Sequence, residues 1–424
     1  MRLRYSPLFA VLALFAAAVT ACSGNSGTGN GPVSIDFLSY TYGQQNPGGQ
    51  GLQKLIDQFQ AANPGITVHP KSVPVSDVLT VLQNDAAGGD LPDVAQIGYS
   101  TATQAFNLLP VQPFADVAPG SEFTDHMAGF VPSVLQGVPG TKNGKLVIMP
   151  FLIGTPVLYY NADVFRAAGL DPAHPPATIS EVKQAALAIK AKGTDGVYFG
   201  VVDPAKSDNL TQSLVASAGG TLVTPEGQPM VDSPATIEAL SAMQDLTKSG
   251  AQPAVDFQSA QNAFSAGKLG MMVYTSGGFP TLAQAAKGKY ELGVAPLPGF
   301  DGHPPTSDLA GSGLAILTKD SAKARAAWSF VKFLTSDDSY QTIAASMGYL
   351  PLRPAATSAA DPRLRTVVDR LGNLAPYTPF PGRQSNQAVT ILVDEAVSPI
   401  MFHGADPAAT LHTVAQKIKS TLGN

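Results

Sequence analysis

Strand-like and helix-like stretches alternate through the first hundred or so residues, and that alternation narrows the possible folds more than any other feature. Ser34 to Tyr40 alternates apolar and polar side chains and predicts a first strand. Leu52, Leu55, Ile56 and Phe59 recur at the spacing of one helical face, and Asn63-Pro64-Gly65 stops that helix. Ile66 to His69 predicts a second strand. Ser76 is positioned to cap a helix through Val78, Leu79 and Leu82, ended by Gly88-Gly89. Asp93 to Ile97 predicts a third strand, with a helix from Thr101. Strands joined by helices at this spacing describe an α/β lobe with a largely parallel sheet.

The pattern does not end there. Val147 to Phe151 and Pro156 to Asn161 are two strand-like runs separated by Gly154-Thr155, where the chain is expected to cross to a second lobe. Helices are predicted from Ser180, acting as cap, to about Lys192 and from Pro234 to Lys248. Gly270 to Tyr274 predicts a buried strand, and Pro280 suits the first turn of a helix near Phe279. Tyr290 to Pro298 should return the chain to the first lobe. Gly313 to Leu317 predicts a strand, Ser321 to Thr335 a helix, and the stretch from Asp361 mostly helices. At 424 residues the chain exceeds a single core, so two lobes are expected. The expected division is residues 33–148 with 296–333 in one lobe, and 149–295 with 334–424 in the other.

Cys22 is the single cysteine. Arg2 and Arg4 precede an uncharged, largely apolar run to Thr20, shorter than a membrane span, as in a signal peptide covering residues 1–22. Val19-Thr20-Ala21-Cys22 resembles a lipobox, which implies acylation of Cys22 and a lipid anchor on the outer face of the cytoplasmic membrane. Residues 23–32 carry almost nothing to bury and read as a flexible linker. With Cys22 acylated no disulfide can form, and packing alone must hold both lobes.

The formal charge is −5, and with Arg2 and Arg4 cleaved away it becomes −7, which argues against nucleic acid as a partner. Six histidines show no metal spacing, and nucleophile-elbow, phosphate-loop and dinucleotide signatures are missing. No cofactor or metal is expected. Scattered glycosidase carboxylates have no motif, so a carbohydrate-active enzyme stays as the alternative class.

Several stretches, in order, are similar to the family-1 extracellular solute-binding proteins of ABC importers, within them most like the glycerol-3-phosphate-binding branch. They are Phe59 to Pro64, Thr155 to Asn161, Ala168 to Pro172 with Pro175-Pro176, Gly348-Tyr349-Leu350-Pro351, and Val393-Asp394-Glu395. The resemblance implies a two-lobed, periplasmic-binding-protein-like (type II) α/β fold, with a small polar ligand held between the lobes. It also implies ABC permeases in the membrane as partners, a monomer, and no catalysis. Carried over position by position, it places Tyr349, Arg383, Gly311 and Thr275, with Ser276 adjacent, around an anion. Tyr40 and Tyr42 follow the first strand at a lip that faces the cleft in such proteins.

The departures are as informative. A serine expected before Thr155 is Gly154, a tyrosine beside the second strand is Val75, and a glutamate after the third is Gly98 or Tyr99. The branch's paired tryptophans are missing between Asp203 and Gly220, where Asp208 and Asn209 could bond hydroxyls instead. The one tryptophan, Trp328, shares a helical register with Val331 and reads as core. These departures point to a larger polyol head, a glycerophosphodiester or a sugar. Each contact has a plainer reading: Arg383 a surface residue in the Pro381-Gly382 turn, Tyr349 turn packing, Gly311 a tight strand entry, Thr275 and Ser276 helix caps, and Asp208 part of a solvated loop.

Overall fold

The computed structural model describes residues 31–423. The signal segment, Cys22 and most of the linker lie outside the described residues. The strands in chain order are β1 (Val33–Ser39), β2 (Ile66–Ser72), β3 (Val94–Gly98), a short hairpin of β4 (Thr141–Lys142) and β5 (Lys145–Leu146), β6 (Met149–Gly154), β7 (Pro156–Asn161), β8 (Asp195–Phe199), β9 (Leu269–Thr275), β10 (Leu292–Pro296) and β11 (Ala310–Ile316). They form two principal sheets, ordered β2-β1-β3-β11-β6 and β10-β7-β9-β8. In the first, β1 runs parallel to β2 and β3, while β11 is antiparallel to both β3 and β6. Each sheet thus belongs to one α/β lobe of a type II arrangement.

Local sequence explains most of these elements. Asn46 caps the helix Pro47–Ala62 by accepting from the Gly49 N–H at 3.0 Å, and Leu52, Leu55, Ile56 and Phe59 are all buried along it. Two expected caps are displaced. Ser76 bonds Asp77 instead, because a 3-10 turn at Val75–Asp77 precedes the helix Val78–Gly88. The helix expected from Ser180 is Ile179–Lys190, capped by Thr178, whose hydroxyl accepts from the Glu181 N–H while the Glu181 carboxylate reaches back. That reciprocal pair satisfies two orphan N–H groups, where a cap at Ser180 satisfies one.

In the second sheet, side chains divide by the two-residue period of a strand. Leu158, Tyr160, Val197, Phe199, Met271 and Val273 face one apolar cluster with the helices Ile179–Lys190 and Pro234–Lys248. Val157, Tyr159, Tyr198 and Met272 face the other, which is continuous with the core of the first sheet. Trp328 is buried there as its register predicts, and its ring N–H donates to Glu122 at 3.0 Å.

Two expected boundaries move. The expected division puts Met149–Gly154 in the second lobe, but β6 is the edge strand of the first sheet, because it pairs with β11. The same division also puts residues 334–424 there, yet Tyr340 donates to the Pro150 and Phe151 carbonyls and the Leu350 N–H to the Ile153 carbonyl. These bonds hold the segment against the first sheet, and the chain joins the second core only by Phe380. Three connections therefore run between sheets: Thr155, residues 297–309, and the stretch around Tyr377. Among the described residues no helix is long and apolar enough to cross a membrane.

Candidate ligand cleft

β1, β3, β8 and β9 deliver their carboxyl ends to one place, the position where open α/β sheets take ligands. There the two lobes wall a cleft of about 320 Å³. The first lobe contributes Tyr40, Thr41, Gln44, Asn46, Gly98, Ser100, Gly311 and Tyr349. The second contributes Gly200, Asp203, Ser207, Asn209, Tyr274, Thr275, Gly277 and Thr281.

A buried polar network holds the first wall. Ser39 donates to Gln96 Oε1 at 2.6 Å, and Gln96 Nε2 donates to Thr41 and Ser312 at 3.0 and 2.9 Å. The Thr41 and Tyr42 N–H groups donate to Ser39 Oγ, fixing the turn that carries Tyr40. Gly311 sits where the β11–β6 register shifts, with φ +145°, and a Cβ there would lie 2.1 Å from the Leu152 carbonyl oxygen. Only glycine meets both demands.

Three phenols ring the cleft. Burial pushes Tyr349 up to about 12, and burial with neighbouring phenols and acids raises Tyr40 and Tyr274 further. All three stay protonated and can donate. Asp203 is the one carboxylate in the lining among the described residues. Burial raises it to about 6, against the opposing pull of the Ser207, Ala205 and Lys206 N–H groups. At neutral pH it is mostly ionised. Among the described residues the lining includes no lysine, arginine or histidine.

Of the residues expected from sequence, the structure brings Tyr349, Thr275 and Gly311 together in the cleft, with Tyr40. It sends the others elsewhere. Arg383 is exposed, in the turn after Pro381, and does not line the cleft. Ser276 is fully buried, bonded to both the N–H and the carbonyl of Thr155. Tyr99 is 1% exposed and turned into the first core. Tyr42 packs against the same core and accepts from Ser72 through its carbonyl. Asp208 is fully buried and locked by Tyr377 and Gln212. Its neighbour Asn209 faces the cleft in its place.

The missed residues, Asp203, Tyr274, Ser100 and Asn46 among them, have no motif. The usable signal was position, since Tyr40, Ser100 and Asp203 each follow a strand end by a few residues.

A ligand cleft between two α/β lobes, joined by three connections, defines a hinged binding protein. The sequence profile of the bacterial extracellular solute-binding protein family matches residues 42–341, and the chain belongs to that family. The sn-glycerol-3-phosphate-binding periplasmic protein UgpB of Shigella dysenteriae serotype 1 is 24% identical over 411 residues, covering 91% of this chain and 92% of that one. Among solved structures, UgpB from Mycobacterium tuberculosis in complex with glycerophosphocholine is 23% identical with a TM-score of 0.77, covering 94% and 99% of the two chains. The GacH receptor of Streptomyces glaucescens, solved unliganded and with acarbose, is 21% identical with a TM-score of 0.79, covering 92% and 98%.

Proposed function

We propose that this chain is the lipid-anchored, monomeric solute receptor of an ABC importer, and that its cargo is a neutral, polyhydroxylated compound of the carbohydrate class. One observation carries the choice of cargo: among the described residues the lining has phenols, hydroxyls, amides and a single carboxylate, and no cationic side chain. A phosphate monoester brings close to two negative charges, and burying them beside Asp203 without a counter-charge is costly. Sugar hydroxyls donate well to Asp203, Asn46 and Asn209, and the faces of Tyr40, Tyr274 and Tyr349 offer apolar area to ring C–H groups. The cleft needs no reacting group, so the solute leaves unchanged.

A second reading rests on Tyr349, Thr275 and Gly311 meeting at one site, where a singly charged phosphodiester would find donors. Thermal unfolding across neutral mono- and disaccharides, glycerol-3-phosphate and glycerophosphodiesters separates the two. A ligand at a hundred times its Kd adds about 2.7 kcal/mol, enough to read as a clear shift in Tm. Neutral saccharides should give that shift, and it should survive Arg383→Ala. Stabilisation by phosphate compounds alone would overturn the cargo assignment. For the anchor, a Cys22→Ser chain should lose incorporation of an alkyne-labelled fatty acid and leave the membrane fraction. Continued labelling of that variant would count against it.

A further inference from the structure

Behind the cleft, one helix of the second lobe, Asn209–Ser217, clasps both long connections. Ser213 Oγ donates to Asp308 Oδ1 at 2.8 Å and accepts from the Asp308 N–H at 3.1 Å. Ser217 Oγ accepts from the Thr306 N–H at 2.9 Å. On the other connection, the Tyr377 hydroxyl donates to Asp208 Oδ1 at 2.6 Å. Gln212 Nε2 donates to Asp208 Oδ2 at 2.9 Å and to the Thr378 carbonyl at 2.8 Å. The two connections also pair directly, Leu309 N–H to the Ala375 carbonyl and Ala375 N–H to the Ser307 carbonyl. Thr155, the short connection, donates its hydroxyl to the Asp308 carbonyl at 2.9 Å. All three links between the lobes meet at Asp308.

The charge at this point is unbalanced. Asp208 is fully buried and Asp308 is 2% exposed, and Asp308 Oδ2 is buried with no partner. The titratable group facing them from the second long connection is Tyr377. The helix Pro234–Lys248, packed on Asn209–Ser217, carries Glu238, Asp245 and Lys248; Asp245 pairs with Lys183 and Lys248 bonds Gln244. His303 lies against Gly219, just past the other end of the clasping helix. Neither these lysines nor His303 bonds either carboxylate. Two full charges in one buried site, close enough to repel, are expensive unless neutralised.

We infer that Asp308 and Asp208 hold a proton at the hinge, and that its loss loosens the lobe connections from the Asn209–Ser217 helix. Burial raises both acids, Asp308 well above the ordinary carboxylate range, with Asp208 adding to it. The folded chain therefore binds protons more tightly than the unfolded one. This contribution to stability is complete below the ordinary carboxylate range and is lost as pH rises above it, through the folded values.

The experiment uses the full ligand-free protein from about pH 5 to about pH 9, following thermal unfolding and amide exchange at Thr306 and Asp308, whose N–H groups bond the helix. Wild type should lose several degrees of apparent Tm as pH rises, with exchange at the two amides speeding about tenfold beyond the ordinary pH dependence of exchange. Asp308→Asn, similar in shape and without charge, should make both profiles shallower, leaving in the thermal one the slope that Asp203 and Asp208 contribute. Equal slopes in wild type and Asp308→Asn overturn the inference. Should that variant fail to fold, Ser213→Ala removes a donor that favours the ionised form and should move the loss to higher pH. An unmoved profile in Ser213→Ala overturns it equally.

Discussion

Asp203 is the side chain whose chemistry most separates this cleft from an anion pocket. An ionised carboxylate that accepts from a solute hydroxyl contributes about 1.5–3 kcal/mol, so Asp203→Asn should weaken a neutral saccharide roughly tenfold or more by calorimetry. Because burial raises Asp203 to about 6, wild-type affinity should fall as pH drops through that value, while the Asn variant stays flat. Its effect on folding has the opposite sense: the raised acid stabilises below the ordinary carboxylate range and loses that contribution as pH rises through about 6. An affinity indifferent to both changes would remove Asp203 from the site. Gly154 shows why a family residue is missing. A Cβ there would lie 2.5 Å from Thr275 Oγ1 and 3.0 Å from Ser276 Oγ, so a serine has no room. Gly154→Ser should cost about 1–3 kcal/mol in denaturant unfolding, with part returned by adding Thr275→Ala. Additive losses would mean the strain lies elsewhere.

Elements with a strong local pattern were legible. The face made by Leu52, Leu55, Ile56 and Phe59 buries as its spacing requires, and Trp328 is core. Caps were less legible, since several hydroxyls compete within one turn and the winner depends on backbone geometry just outside the helix. Thr178 wins over Ser180 because Glu181 completes the reciprocal pair. Thr178→Ala should therefore cost about 1 kcal/mol in denaturant unfolding, and Ser180→Ala much less. Equal losses would mean that the capping box contributes nothing beyond a single hydroxyl.

Across the whole molecule, function depends on the balance between open and closed lobes. Besides the hinge, the Asn386 N–H, on a helix of the second core, donates to Gln104 Oε1 on a helix of the first at 3.1 Å. Removing such a bridge shifts the balance away from the lobe arrangement it favours, and apparent affinity follows the fraction that can bind. Gln104→Ala should weaken solute binding about threefold to tenfold with little change in unfolding, as expected for a bond of about 1 kcal/mol. Unchanged affinity would mean the bridge plays no part in closure. By itself the sequence determined the alternation of strands and helices, the two-lobed class, and the family stretches such as Gly348 to Pro351, because periodicity and turn chemistry act over neighbouring residues. Only the tertiary structure decided that β6 stays with the first sheet, that Arg383 faces solvent, and that Asp203 rather than Asp208 lines the cleft. Those outcomes depend on which distant strand ends converge and which side chains the cores engulf, and contacts across hundreds of residues leave no local pattern to read.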